Sequence, residues 1–149
     1  MNFYRVNETC DFVDLPGYGY ARVPQTVRRA WRPMVEGYLE RRRDRITLAF
    51  LVVDARHRPS ELDLTMRDWL ESMGIDYLIV ATKADKLSGN GRDRARRTLE
   101  REIGGSPLAA PILCSAKTGL GVKEVWRHLD RALGQGPAQE KDEKWTSRN

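Results

Sequence analysis

Two runs in this 149-residue chain, Leu48-Ala49-Phe50-Leu51-Val52-Val53 and Tyr77-Leu78-Ile79-Val80-Ala81, are apolar at every position. A strand with one wet face alternates apolar and polar residues, whereas a strand covered on both faces has no polar position to spare. The runs therefore predict the inner strands of a parallel sheet clothed by helices. Pro111-Ile112-Leu113-Cys114 is a shorter run of the same kind. Helical patterns alternate with these strands. Leu62, Met66, Trp69, Leu70 and Met73 form one stripe, with Ser60 as N-cap, Asp63 at the capping-box position and Gly74 as the stop. Val122, Val125, Trp126, Leu129 and Leu133 form another, closed by Gly134. Arg92 to Ile103 is helical but mostly polar, which places it on the surface. Upstream, Val27, Trp31, Met34, Val35, Tyr38 and Leu39 mark one helix face, and Pro33 is expected to kink or restart that helix. Phe3 to Asn7 and Thr9 to Asp14 read as a hairpin about Asn7-Glu8. Strands alternating with helices imply an open α/β sheet, in which ligands bind at the carboxyl ends of the strands.

The length suits one domain, expected over residues 1–133, with 134–149 a polar, aperiodic tail expected to be disordered. No apolar run approaches the roughly eighteen residues needed to cross a bilayer. The first residues show no basic stretch followed by an apolar one, so a cytoplasmic location is expected. Cys10 and Cys114 are expected to be free thiols rather than a disulfide. Net charge is +5, and arginine supplies 20 of the 26 basic residues. The clusters Arg41-Arg42-Arg43-Asp44-Arg45 and Arg92 to Arg101 fit an RNA-facing patch. A solvated helix face is the preferred reading, because no aromatic residues interleave them as on a stacking surface.

Three short motifs follow predicted strands: Asp14-Leu15-Pro16-Gly17, Thr82-Lys83-Ala84-Asp85 and Ser115-Ala116-Lys117. They fit the D-x-x-G, [NT]-K-x-D and S-A-x patterns of a guanine-nucleotide site. A carboxylate such as Asp85 can accept two parallel hydrogen bonds from guanine N1–H and its 2-amino group, a pair adenine lacks. The apolar stem of Lys83 can lie along the base plane. The small Ala116 lets a backbone N–H approach the purine O6. Thr82 stands where asparagine is commoner, so its hydroxyl would brace the loop. Asp14 is placed to hold a metal ion through water, and Gly17 to bring its N–H close to a terminal phosphate. Tyr18 stands where many GTPases carry the glutamine that orients water, so no catalytic residue is identified, and hydrolysis is expected to be slow or to rely on a group supplied elsewhere. His57 and the flanking Arg56 and Arg58 are expected to brace the turn after Asp54, or to touch a partner. No G-x-x-x-x-G-K-[ST] phosphate loop occurs in these residues.

With these residues in view the chain resembles the EngB (YihA/YsxC) family of small bacterial GTPases. The likeness rests on Val13-Asp14-Leu15-Pro16-Gly17-Tyr18-Gly19-Tyr20-Ala21, on Trp31 and Tyr38-Leu39, on Asp54-Ala55-Arg56-His57-Arg58-Pro59-Ser60-Glu61-Leu62-Asp63, and on Ala81-Thr82-Lys83-Ala84-Asp85-Lys86. It extends from about Asn2 to Leu133. The resemblance implies a three-layer Ras-like phosphate-loop NTPase fold with a mainly parallel sheet. In that family a strand, the phosphate loop and a helix precede the segment at which this sequence opens, and these are expected to be missing here. It further implies GTP and GDP as ligands, Mg2+ as cofactor, and a monomer acting with the large ribosomal subunit or its rRNA in ribosome assembly, hence in cell division and septation. GTPase activity is expected of the complete protein and not of these residues alone, which are expected to be poorly soluble or partly molten and to bind GTP weakly. The alternative is a non-hydrolysing, basic ribosome- or RNA-binding module on a degenerate GTPase fold.

Overall fold

The computed structural model describes residues 1–15, 25–104, 106 and 108–134, with only the backbone of 25–32. The chain divides into two compact units, Met1–Ile46 and the residues from Thr47 onward.

In the first unit, β1 (Asn2–Val6) and β2 (Cys10–Asp14) pair antiparallel, with Val6 opposite Cys10 and Asn2 opposite Asp14. The turn forms where the sequence predicts it. Both Asn7 (φ 47°) and Glu8 (φ 56°) adopt the left-handed region, which matches the right-handed twist of a hairpin. The Thr9 N–H closes the turn on the Val6 carbonyl at 2.9 Å. Helix α1 (Gln25–Arg42) runs continuously through Pro33, so the expected restart does not occur; a proline costs one intrahelical bond, and the turns on either side hold. Among its described side chains Val35 and Leu39 are buried, Tyr38 is half-buried with its ring edge-on to Phe3 at 6.2 Å, and Met34 is exposed. A short 3-10 turn, Arg43–Arg45, follows.

The second unit holds a parallel sheet in the order β3-β4-β5, with β3 at Ala49–Asp54, β4 at Tyr77–Thr82 and β5 at Ile112–Leu113. Registers run Ala49 with Tyr77 through Asp54 with Thr82, then Val80 with Ile112. Central β4 is covered on both faces, as its unbroken apolar run requires. On one face Leu78, Ile112 and Cys114 form a cluster with Leu48, Phe50, Val80 and Val125. The alternate residues Leu51, Val53, Tyr77, Ile79 and Ala81 are buried on the other face. Each large side chain buried here stabilises the fold by about 1.5–3 kcal/mol before conformational entropy is counted. Val52, on the Phe50 face of β3, is exposed.

Helix α2 (Glu61–Ser72) packs on β3 and starts on the expected capping box: Asp63 N–H donates to Ser60 Oγ at 3.2 Å, and Ser60 N–H donates to Asp63 Oδ2 at 2.7 Å. Gly74, at φ 64°, ends it as expected. Helix α3 (Gly89–Glu102) packs on β5 and begins three residues before the predicted Arg92. Ser88 caps it by accepting from the Gly91 N–H, which offsets the poor helix propensity of Gly89 and Gly91. Its surface is polar, but Leu99 is buried. Helix α4 (Val122–Ala132) buries Leu129 and half-buries Val125, while Val122 and Trp126 remain exposed, so the apolar stripe is only partly covered. The tail beyond Gly134 lies outside the described residues.

Candidate functional site

The parallel register sets the geometry of the loop that follows β4. Because Asp54 pairs with Thr82, the carboxyl ends of β3 and β4 finish level, and the residues after each can reach across. Thr82 Oγ1 donates to the Val53 carbonyl at 3.0 Å, so the hydroxyl braces the loop as expected. Lys83 Nζ donates to Asp54 Oδ2 at 2.9 Å. The Ala84 N–H donates to the Cys114 carbonyl at 3.0 Å, and Arg92 Nε of α3 donates to the Ala84 carbonyl at 3.0 Å. Asp85 lies in a short 3-10 turn with Ala84 and Lys86 and accepts from Ser115 Oγ at 2.7 Å. Each of four consecutive residues is thus fastened to a different neighbour.

Ser115 links the second and third motifs. It is a buried polar residue, with 1% of its surface exposed. Its hydroxyl spends its one proton on Asp85 and accepts from the N–H groups of Lys117 and Thr118, each at 3.2 Å. The Ser115 bond is the main cause holding the Asp85 carboxyl below the ordinary carboxylate range. Lys86 Nζ stands 4.0 Å from Asp85 Oδ2, and 13% of the Asp85 side chain is exposed. The carboxylate therefore stays ionised, fixed on one oxygen, with acceptor capacity left for a planar pair of donors. Among the described residues no hydrogen bond from the Ala116 N–H is found, while its two successors are occupied by Ser115.

Asp54 is a residue that motif reading leaves without a role at this site. Asp54 Oδ1 accepts from Arg56 N–H at 3.0 Å and Arg56 Nε at 2.9 Å, and Oδ2 from Arg56 Nη2 at 2.7 Å. Arg56 and then Lys83 hold the Asp54 carboxyl well below the usual carboxylate range against the opposing effect of burial. Arg56 therefore braces the turn, as expected. His57 is exposed and joins the turn through its N–H to the Asp54 carbonyl at 3.1 Å. Arg58 pairs with Glu102 at 2.7 Å.

Of the first motif, Asp14 is the exposed last residue of β2 and accepts from Asn2 Nδ2 at 3.3 Å, and Leu15 is half-buried. Pro16, Gly17 and Tyr18 lie outside the described residues. Among the described residues no cluster of three or more His, Cys, Asp or Glu could hold a metal ion. A cavity of about 330 Å³ lies between the starts of α3 and α4, lined in part by Arg92, Asp93, Arg96, Gly121 and Glu124. It contains none of the motif residues. Both cysteines are free, Cys114 buried and Cys10 half-buried. No described helix is long and apolar enough to cross a membrane.

The arginine clusters divide by environment. Arg41, Arg42, Arg43 and Arg45 are all exposed, as are Arg94, Arg96, Arg97 and Arg101, whereas Arg92 is turned inward onto the Ala84 carbonyl.

No family model matches the chain. A probable GTP-binding protein EngB of Syntrophus aciditrophicus is 41% identical over 135 residues, which is 91% of this chain and 67% of that protein. Its counterpart in Acidobacterium capsulatum is 44% identical over 124 residues, 83% of this chain and 57% of the relative. The chain thus spans about two thirds or less of the relatives it matches. A crystal structure of a probable GTP-binding protein engB shares the fold, with a TM-score of 0.72 at 20% identity over 83% of this chain and 76% of the other. Identity of 41% with a relative of which this chain covers 67% shows that the chain belongs to the EngB family of GTP-binding proteins.

Proposed function

We propose that the loop after β4 and the turn after β5 recognise the guanine base of GTP and GDP. One observation carries the reading: the buried Ser115 hydroxyl holds an ionised Asp85 at 2.7 Å, at the carboxyl end of a parallel sheet. In this arrangement Asp85 accepts guanine N1–H and the 2-amino group, the Ala116 N–H donates to O6, and the Lys83 stem lies along the base. Asp14, Leu15, Pro16 and Gly17 would serve the phosphate side, with Asp14 contacting Mg2+ through water.

The whole protein, on this reading, is a cytoplasmic, monomeric GTPase that acts with the large ribosomal subunit in its assembly, and through it in cell division and septation. The exposed Arg41–Arg45 run supports a contact with rRNA. Replacing its arginines with glutamine should flatten the salt dependence of binding to large-subunit particles, by somewhat under one unit of slope for each arginine that neutralises a phosphate. An unchanged slope would leave the run as solvated surface.

The base assignment has its own test. Asp85→Asn exchanges a charged acceptor for an amide and should weaken GTP binding by about 1.5–3 kcal/mol. Preference should shift toward xanthosine nucleotides, which offer an acceptor where guanine offers an amine. Titrations in which wild type and variant share affinity and preference would remove Asp85 from the site.

A further inference from the structure

Lys83 is held in a way that an ordinary surface ion pair does not require. Its backbone sits in the left-handed region, at φ 62° and ψ 26°, which is strained for a residue with a Cβ. Its ammonium is drawn to Asp54 at 2.9 Å, on the neighbouring strand end. Yet 55% of its side chain remains exposed between these two fixed ends. The other partner is fixed before the lysine arrives. The Asp54 side chain is only 23% exposed and already receives three hydrogen bonds from Arg56 within its own turn.

We infer that Asp54, braced by Arg56, is a positioning residue for base recognition: it stretches Lys83 so that its aliphatic stem stands as a preformed wall beside Asp85 for the flat face of a purine. The inference rests on the guanine-site reading given above. A free lysine loses nearly all of its rotamer entropy when its stem is pinned under a ligand, a penalty of about tenfold in affinity. Here the ion pair imposes that order on the empty protein, which is preorganisation in its simplest form. Isolated exposed ion pairs contribute little to stability, so the pair has little other reason to accompany a strained backbone. The wall reads the face of the ring and not its edge. Asp54 therefore governs how tightly any purine nucleotide binds, and Asp85 governs which one.

The test is titration of the protein with fluorescent GDP and XDP, comparing wild type with Asp54→Asn, Lys83→Met, the double variant of these two, and Asp85→Asn. Asp54→Asn should weaken GDP binding about tenfold without changing the GDP/XDP preference, and the same holds when it is added to Asp85→Asn. Lys83→Met keeps the stem and removes its anchor, so it should weaken binding by a similar factor. The double variant should then be no weaker than Lys83→Met by more than about twofold, because both changes break one link. Losses that multiply would mean that Asp54 acts on the fold and not through Lys83, and would overturn the inference. So would unchanged GDP affinity in Lys83→Met, a variant of an exposed side chain that tests the idea even if Asp54→Asn does not fold. If Asp85→Asn switches preference while Asp54→Asn and Lys83→Met do nothing, the base site stands and the positioning role falls. If wild type binds neither nucleotide, both fall together.

Discussion

Ser115→Ala is the most searching single change, because it deletes one atom that three groups share. The residue is 1% exposed, so alanine fits without a clash, and the loss is confined to hydrogen bonds. The hydroxyl donates to Asp85 at 2.7 Å, a charge-assisted bond of the class worth about 1.5–3 kcal/mol. The N–H groups of Lys117 and Thr118 lose their acceptor as well, but at 3.2 Å each contributes only about 0.5–1 kcal/mol. Because 13% of the Asp85 side chain is exposed, water replaces part of the first bond and its lower bound applies. The sum is about 3 kcal/mol, a large share of the stability of a small domain. Urea unfolding should register the loss as an earlier midpoint with an unchanged slope. Guanine-nucleotide affinity should fall too, since Asp85 would have to be ordered on binding. Thr118→Ala is the control: its exposed hydroxyl accepts a single 3.5 Å contact from the Leu120 N–H, so its loss should stay within about 0.5 kcal/mol. If the two variants unfold alike, or Ser115→Ala loses less than about 1 kcal/mol, the three-way bond is not what holds the motifs together.

Two further outcomes follow from local geometry. Gly121, at φ 74°, opens α4 where a Cβ would overlap the Leu113 carbonyl oxygen and stand 2.8 Å from Cys114 Sγ, so Gly121→Ala should cost about 2–4 kcal/mol in the same unfolding assay. A cost below about 1 kcal/mol would show that the β5–α4 junction yields easily. Tyr77 is 1% exposed and donates to Glu71 at 2.6 Å; burial, then that bond, push its phenol well above the ordinary tyrosine pKa of 10.0. A raised folded-state pKa means that stability is fully present below the unfolded value and is lost as pH climbs from about 10 toward the folded one. Unfolding free energies measured from about pH 9 to about pH 11.5 should therefore fall more steeply in wild type than in Tyr77→Phe, and parallel curves would contradict this.

How much of this was legible in the sequence depends on the range of the interaction. β3 and β4 could be read because a strand covered on both faces leaves no polar residue in its run, and Ser60 with Asp63 could be read because a capping box closes within four residues. Thr82–Asp85 and Ser115–Lys117 were visible as patterns, but the hydrogen bond joining them spans thirty residues and depends on β5 lying beside β4. The Asp54–Lys83 pair was invisible for the same reason: it exists only because the parallel register sets Asp54 level with Thr82. Arg92 was hidden in a run of arginines, since composition cannot say which of several like charges turns inward. The poor helix propensity of Gly89 and Gly91 hides the start of α3, and Pro33, expected to kink or restart its helix, does not restart it.

The loop after β4 is fastened to β3 through Thr82 and Lys83, to the residues after β5 through Ala84 and Asp85, and to α3 through Arg92. Ligand-binding loops usually come from the least stable part of a protein and open many times for each global unfolding event. This one cannot open alone, because lifting it breaks bonds to two strand ends and a helix at once. It belongs to the same cooperative unit as the sheet, and its backbone amides should exchange with solvent on the timescale of β4 and not of a surface loop. On the guanine-site reading proposed above, that edge is a fixed template. Whatever changes shape between two nucleotide states of such a protein must do so elsewhere, against a loop that stays still.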